Sequence, residues 1–296
     1  MNKFYKNIAF FAFVLLLIPF ASVLAMLQYE YSFNIPKTNE RELNVRIESS
    51  LNKVVISKGD TRKAFSIIYN NKIEEYPNAK VSYKVIDNIG YLNIKINDDN
   101  DHVQSWFLNY NPSSNYQQEV FYISLNNNVP IKFDLHLGAG YSKLDMSGLL
   151  IKDLKLEAGA AETLIFCNEE NPIDLETIKI DAGLSKFRAY KLGNTNFKRL
   201  YFEGGVGSYY FDFTGSLRNE AYVSMELGLG SLSINIPETV GTSVFYDKGF
   251  LSSFDYGNFK KIGESKYINN NFTDGNRKLN IKLESGLGSV KIKSSR

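Results

Sequence analysis

After about residue 42 the chain alternates apolar and polar positions with period two, and the alternation comes in a recurring phrase. Ile281–Ile292 (IKLESGLGSVKI) shows it best. Its first and third positions are apolar, its fourth is acidic, its sixth is glycine, and its tenth and twelfth are apolar again. Period-two alternation predicts strands with one face on a core. Each phrase then reads as two short strands joined at a glycine bend.

The phrase recurs at Val45, Leu135, Leu154, Ile178, Leu200 and Val223, and in weaker form at Val244 (VFYDKGFLSSF), giving eight copies with Ile281. From Leu135 onward the starts lie 19, 24, 22, 23, 21 and 37 residues apart. The last gap holds an insertion rich in Asn, Gly and Lys, over about 256–278, which reads as a surface loop. The bend glycine is read at Gly140, Gly159, Gly183, Gly205, Gly228, Gly249 and Gly286. In the Val45 copy Ser50 takes its place, less comfortably if the bend needs positive φ.

A unit of about 20–24 residues with two short strands predicts an all-β chain, a β-solenoid of parallel β-helix type whose apolar positions line one continuous core. An antiparallel sandwich competes with this reading but accounts less well for the regular period. Residues 60–130 lack the phrase. Their strand runs at 65–69, 81–85, 91–96 and 120–125, parted by turn-rich stretches, predict an associated antiparallel β-meander. The expected organisation is a signal peptide at 1–25, a lead-in at 26–42, a first repeat plus meander at 43–130, and solenoid repeats at 131–296.

The first 25 residues are of another kind. Lys3 and Lys6 precede an apolar run from Ile8 to Ala25, broken by Pro19 and Ser22 and ending in Val23-Leu24-Ala25. This predicts a secretory signal peptide and an exported protein: periplasmic, cell-surface or extracellular. An uncleaved anchor has the same length; Pro19 and the small-residue ending favour cleavage. Without this segment the charge is 32 basic against 32 acidic residues. That balance argues against nucleic acid, which calls for a basic face, and against adhesion to anionic membranes. Membrane contact is expected only through an uncleaved N-terminal segment. Cys167 is the single cysteine, so no intramolecular disulfide forms, and its place after Leu164-Ile165-Phe166 predicts a buried thiol.

Candidate chemistry is sparse. The fourth position is acidic at Glu48, Glu157, Asp181, Glu203, Glu226, Asp247 and Glu284, with Gly138 the exception. Stacked, these would form a carboxylate ladder able to recruit hard cations. The second position is basic at Arg46, Lys155, Lys179 and Lys282, so paired surface charges are the expected reading. Asp98-Asp99-Asn100-Asp101-His102 lacks the glycine and closing glutamate of a helix–loop–helix calcium site and reads as an acidic loop. His102 and His136 are the only histidines and form no zinc pair. No nucleophile elbow and no phosphate-binding glycine loop is present; Glu203-Gly204-Gly205-Val206-Gly207 lies between strand signals. No catalytic residue, metal site or cofactor is expected. The outward aromatics Tyr201 and Tyr210, with Phe245, are the candidate binding residues, since exposed rings stack on sugars or receive a partner protein. A face covered by the meander or by a loop is the structural alternative.

The passage from Val120–Leu125 through Val129-Pro130 into Leu135–Gly140, the glycine phrases after it, and the closing Glu284–Val290 resemble the bacterial toast-rack domain. Related domains resemble adhesin-like proteins and the C-terminal part of membrane proteins of envelope-stress response. The resemblance implies a β-solenoid-like fold on the outer side of a bacterial membrane and brings no catalytic residues. The chain departs from the stress-response type in having no series of membrane spans before the domain. The expected function is a secreted, non-enzymatic binding or scaffolding protein of the envelope, with an envelope protein or glycan as partner. A polysaccharide-active β-helix enzyme and an accessory stress sensor are the alternatives.

Overall fold

The computed structural model describes residues 29–71, 79–96, 120–273 and 278–295. They form β1 (Tyr29–Pro36), β2 (Glu42–Lys58), β3 (Lys63–Asn71), β4 (Ala79–Ile86), β5 (Ile89–Ile96), β6 (Val120–Leu125), β7 (Pro130–Asp145), β8 (Leu150–Phe166), β9 (Leu175–Tyr190), β10 (Phe197–Asp212), β11 (Ala221–Pro237), β12 (Gly241–Asp255), β13 (Lys260–Lys261), β14 (Lys266–Ile268) and β15 (Lys278–Ser295). The only helical element among them is a 3-10 turn at Leu192–Thr195. The chain is a β-solenoid. Each long strand is one phrase, bent at its middle, and makes two walls of a rung; a loop closes the third side.

Parallel pairing stacks the rungs β2-β7-β8-β9-β10-β11-β15-β12. The apolar positions do what alternation requires. Val45, Leu154, Ile178 and Leu200 at position one, and Ile47, Leu156, Ile180 and Phe202 at position three, are all buried, as are Ile56, Ile165, Phe211 and Ile292 at position twelve. Phe187, Phe202 and Phe211 meet in the middle of this core, with Phe202 and Phe211 edge to face at 4.7 Å.

Four readings from the sequence change. First, Val45 pairs with Phe133 and Ile47 with Leu135, so the second copy starts at Phe133 rather than Leu135. Its fourth position is His136 and its sixth is Gly138; Gly140 is at position eight. The distance to the next rung becomes 21 residues, as between His136 and Glu157.

Second, rungs do not stack in sequence order. β11 ends at Pro237 and β12 starts at Gly241, yet β15 lies between them, paired with β11 on one side and β12 on the other. The long final gap in the repeat is the path out along the end of the stack and back into the slot. The insertion is therefore not a plain loop. β14 pairs onto the outside of β12 and β13 onto β14, and Phe259, Tyr267 and Tyr246 are buried there beside half-buried Phe254, capping the core.

Third, the meander hides a rung. β5 pairs parallel with the first half of β2 and β6 parallel with its second half. Together they are one phrase split by residues 97–119. The antiparallel pairings lie outside this rung: β4 on β5, and β3 on β6 with β1 beyond. Asp87 and Asn88, at φ 51 and 60°, form the two-residue turn of the β4–β5 hairpin.

Fourth, positive φ is not what the sixth-position glycine provides. A Cβ on Gly228 would lie 2.8 Å from the Gly205 carbonyl oxygen of the preceding rung, and one on Gly286 would lie 2.7 Å from that of Gly228. The row is glycine because neighbouring backbones approach there. Ser50 is tolerated because among the described residues no strand pairs with 50–52 on that side: β5 ends opposite Ser49 and β6 begins opposite Lys53. Positive φ belongs to the eighth position, at Gly140, Gly230 and Gly288.

Loops on the third side are held by buried asparagines whose amides stand in for missing backbone partners. Asn171 Nδ2 donates to the Ile151 carbonyl (2.7 Å), Asn194 Nδ2 to that of Cys167 (2.9 Å), and Asn196 Nδ2 to that of Asn171 (2.8 Å).

Candidate functional site

The outer face of the first wall is a grid, because positions two and four alternate with the buried first and third. Position four runs in register through Glu48, His136, Glu157, Asp181, Glu203, Glu226, Glu284 and Asp247, with Lys95 of β5 beside Glu48. Adjacent rungs are about 4.8 Å apart.

At the β2–β9 end the carboxylates are paired. Arg46 bonds Glu48 (2.7 Å) and also Asp134; Lys95 reaches Glu48 at 3.0 Å. His136 bridges Asp134 through Nε2 (2.9 Å) and Glu157 through Nδ1 (2.8 Å), and Lys155 reaches Glu157 at 2.7 Å. Lys155 first, then His136, hold Glu157 below the ordinary carboxylate range; Arg46 and then Lys95 do the same for Glu48. Half of these pairs join positions two and four of one strand, and half cross between rungs.

The β10–β12 end differs because position two changes to Tyr201, Ser224, Lys282 and Phe245. Lys282 pairs with Glu284. Glu203, Glu226 and Asp247 have no ion pair among the described residues. A groove of about 1270 Å³ runs along the carboxylate and glycine rows across the stack. No group of three His, Cys, Asp or Glu side chains among the described residues is placed to hold a metal ion. The Asp98–His102 stretch lies outside the described residues.

Tyr201 and Phe245 stand three rungs apart, about 14 Å at the usual strand spacing. Ser224 and Lys282 lie between them, and the small serine, with Lys282 turned to Glu284, leaves a hollow of about 570 Å³. Tyr222, just before the phrase on β11, completes the rim. Tyr201, Tyr222 and Phe245 are 45%, 54% and 48% exposed. Ser243 Oγ donates to Asn280 Oδ1 (2.8 Å), and Asn280 Nδ2 donates to Glu220 Oε1 (3.0 Å), so the amide at the edge is fixed in orientation. Glu220 beside its hydroxyl raises the Tyr222 phenol. Lys266 lines the open side.

Tyr210 is not in this hollow. It lies on the second wall, half-buried, with its ring 5.4 Å from that of Tyr190. Sequence reasoning reached Tyr201 and Phe245 through position two and missed Tyr222, which precedes the first counted position. It also passed over position seven, where Leu184, Val206, Leu229 and Leu287, joined by Leu251 through the shift of register in β12, form an in-register row of exposed aliphatic side chains. Cys167 is buried, and burial pushes its thiol up to about 12, outside the range of a nucleophile at neutral pH.

Residues 25–187 match the family model described as the N-terminal domain of toast_rack, DUF2154. That stretch is more than half of the 296 residues. The chain belongs to this family. The resemblance read from Val120–Leu125 and the glycine phrases is thereby borne out. The matched toast-rack stretch ends at Phe187, inside β9, and the same rungs continue beyond it to β12. Among solved structures, the chain is similar to one described as "a putative cell adhesion protein" from Clostridium sporogenes, with 18% identity, 91% of this chain and 100% of that chain covered, and a TM-score of 0.45. It is also similar to "a putative adhesin" from Bacteroides fragilis, with 10% identity, 91% and 98% covered, and a TM-score of 0.43. None of the curated proteins compared matches the chain. Among the described residues no helix is long and apolar enough to cross a membrane.

Proposed function

We propose that this toast-rack chain is an exported, non-enzymatic binding module of a bacterial envelope, and that it takes a glycan in the hollow between Tyr201, Tyr222 and Phe245. The observation that carries the reading is three half-exposed rings on one flat face around an oriented amide and hydroxyls. Ring faces stack on the apolar face of a pyranose, while Asn280, Ser243 and Ser224 supply groups for its hydroxyls. The volume suits one or two sugar units. The signal-like start at residues 1–25 supports export, and the absence of a recognisable nucleophile, metal cluster or cofactor motif in the sequence supports a binding role.

The test is affinity electrophoresis of the protein in gels containing soluble envelope glycans, with isothermal titration on whichever retards it. Tyr201→Ala with Phe245→Ala is expected to weaken binding at least tenfold, while Tyr210→Ala leaves it unchanged. Retardation that is equal in the double variant removes the hollow as the site. Release of reducing ends from any of these glycans overturns the non-enzymatic assignment.

A further inference from the structure

The seventh position carries a feature that glycan binding does not use. Leu184, Val206, Leu229, Leu287 and Leu251 are 66%, 44%, 44%, 44% and 65% exposed, in register on β9, β10, β11, β15 and β12. Four of them follow the glycine row by one residue. A contiguous row of this kind differs from the scattered apolar residues of an ordinary surface. A carboxylate stands three residues before Val206, Leu229 and Leu287 and four before Leu251, where β12 bulges: Glu203, Glu226, Glu284 and Asp247, in register on four successive rungs. Only Lys282 is paired into that set. The result is an aliphatic ridge beside a strip of four carboxylates with one ammonium, repeating at about 4.8 Å along the stack axis.

We infer that this corner is a docking surface for a cationic amphipathic α-helix lying along the stack axis. Charge complementarity selects the partner: an apolar stripe to cover the ridge and a flanking row of Lys or Arg to meet the carboxylates. The repeat distance selects its conformation. A helix turns every 5.4 Å or so, which places one basic side chain per turn against one carboxylate per rung. Across four rungs the mismatch accumulates to only about 2 Å, within the reach of a lysine stem. An extended strand in the same direction would present its alternate side chains about every 6.8 Å and would fall out of step within two rungs. The glycine row between ridge and strip keeps the floor low, so a cylinder can approach both.

The probe is a fluorescent 18-residue helix of Leu and Lys with one apolar face, beside a scrambled peptide of the same composition, titrated into the full chain by anisotropy. The amphipathic peptide is expected to bind at least tenfold tighter than the scrambled one, and tenfold weaker in 0.5 M salt than in 0.05 M. Leu229→Asp with Leu287→Asp is expected to lower affinity at least tenfold. Glu203→Gln with Glu226→Gln is expected to lower it about fivefold and flatten the salt dependence. Both pairs are exposed, so unchanged melting confirms folding; if the aspartates lower it, the same change to serine replaces them. Tyr201→Ala with Phe245→Ala leaves peptide binding unchanged, which separates this surface from the glycan hollow. Equal binding of both peptides, indifference to the ridge variants, or a wild-type dimer that becomes a monomer on Leu229→Asp each overturns the inference, the last by assigning the ridge to a second copy.

Discussion

Pro237 and Gly241 are four residues apart in sequence, yet a whole strand separates the rungs they end and begin. Pro237 is in register with Ser295 and Gly241 with Lys278, the two ends of β15. The β12 rung therefore has no parallel neighbour until β15 arrives.

Removing β15 by a stop after residue 277 is expected to abolish folding. Leu279, Ile281, Leu283, Val290 and Ile292 are all buried. At about 1.5–3 kcal/mol each their loss rivals the whole stability of a typical domain. Circular dichroism of the truncated chain should show loss of the β signal and of the cooperative melt.

The glycine rows make a graded prediction. A Cβ on Gly230 would lie 1.9 Å from the Gly207 carbonyl oxygen, at φ 136°. Gly230→Ala is expected to cost about 3 kcal/mol or more, since neither backbone nor φ can yield cheaply. Gly263, where the nearest atom to a Cβ is 3.9 Å away, is the control, with an effect within about 0.5 kcal/mol. Urea titrations of the two variants check the contrast.

Asn194 ties two loops: its Nδ2 donates to the Cys167 carbonyl, and its Oδ1 accepts from the Ser216 backbone N–H at 2.8 Å. Asn194→Ala takes this partner from the buried Cys167 carbonyl and from the half-buried Ser216 N–H. The expected loss is about 1–3 kcal/mol for each group. Amide exchange should rise at Ser216 before it rises in the strands.

Acid should weaken the β2–β9 end first. Glu48 and Glu157 are held below their ordinary 4.5 in the folded chain by Arg46, Lys95, Lys155 and His136. A depressed carboxylate contributes its stability above the unfolded value and loses it as pH falls through the folded one. Melting temperature is therefore expected to hold from pH 7 to about 5 on this account, then fall. Glu48→Gln with Glu157→Gln should flatten that fall. These are exposed pairs, so the difference should stay below about 1 kcal/mol per pair and shrink in high salt.

The repeat could be read because burial imposes it on every rung from Leu154 to Val223. The phase at Phe133 could not. FDLHLGAG has alternating apolar residues and two glycines two positions apart, so a shift by two satisfies the same alternation, and only pairing with β2 decides. The split rung escaped notice because β5 and β6 each carry only half a phrase, with residues 97–119 between the halves in sequence. Stacking order left no trace, since β11, β15 and β12 present equivalent positions whichever is in the middle. At the candidate site, Tyr201 and Phe245 were visible as outward aromatics on one position. Their separation, three rungs with Ser224 and Lys282 between, depends on β15 entering between β11 and β12. The seventh-position row was in view as the recurrent Gly-Leu-Gly and Gly-Val-Gly, but an apolar residue between glycines carries no sign of which way it points.

Stacked repeats ordinarily wind up in the order they are made, and fray from the ends inward one unit at a time. Here the terminal rung is laid down before the rung that supports it. It must wait, held by its short turn from Pro237 and by the three-residue β14 on its outer side, until the later strand is threaded in behind it. Once closed, the arrangement works like a keystone. β15 cannot leave without undocking β12 as well, so the strand that ends the chain is clamped on both sides, and freeing it opens two rungs together.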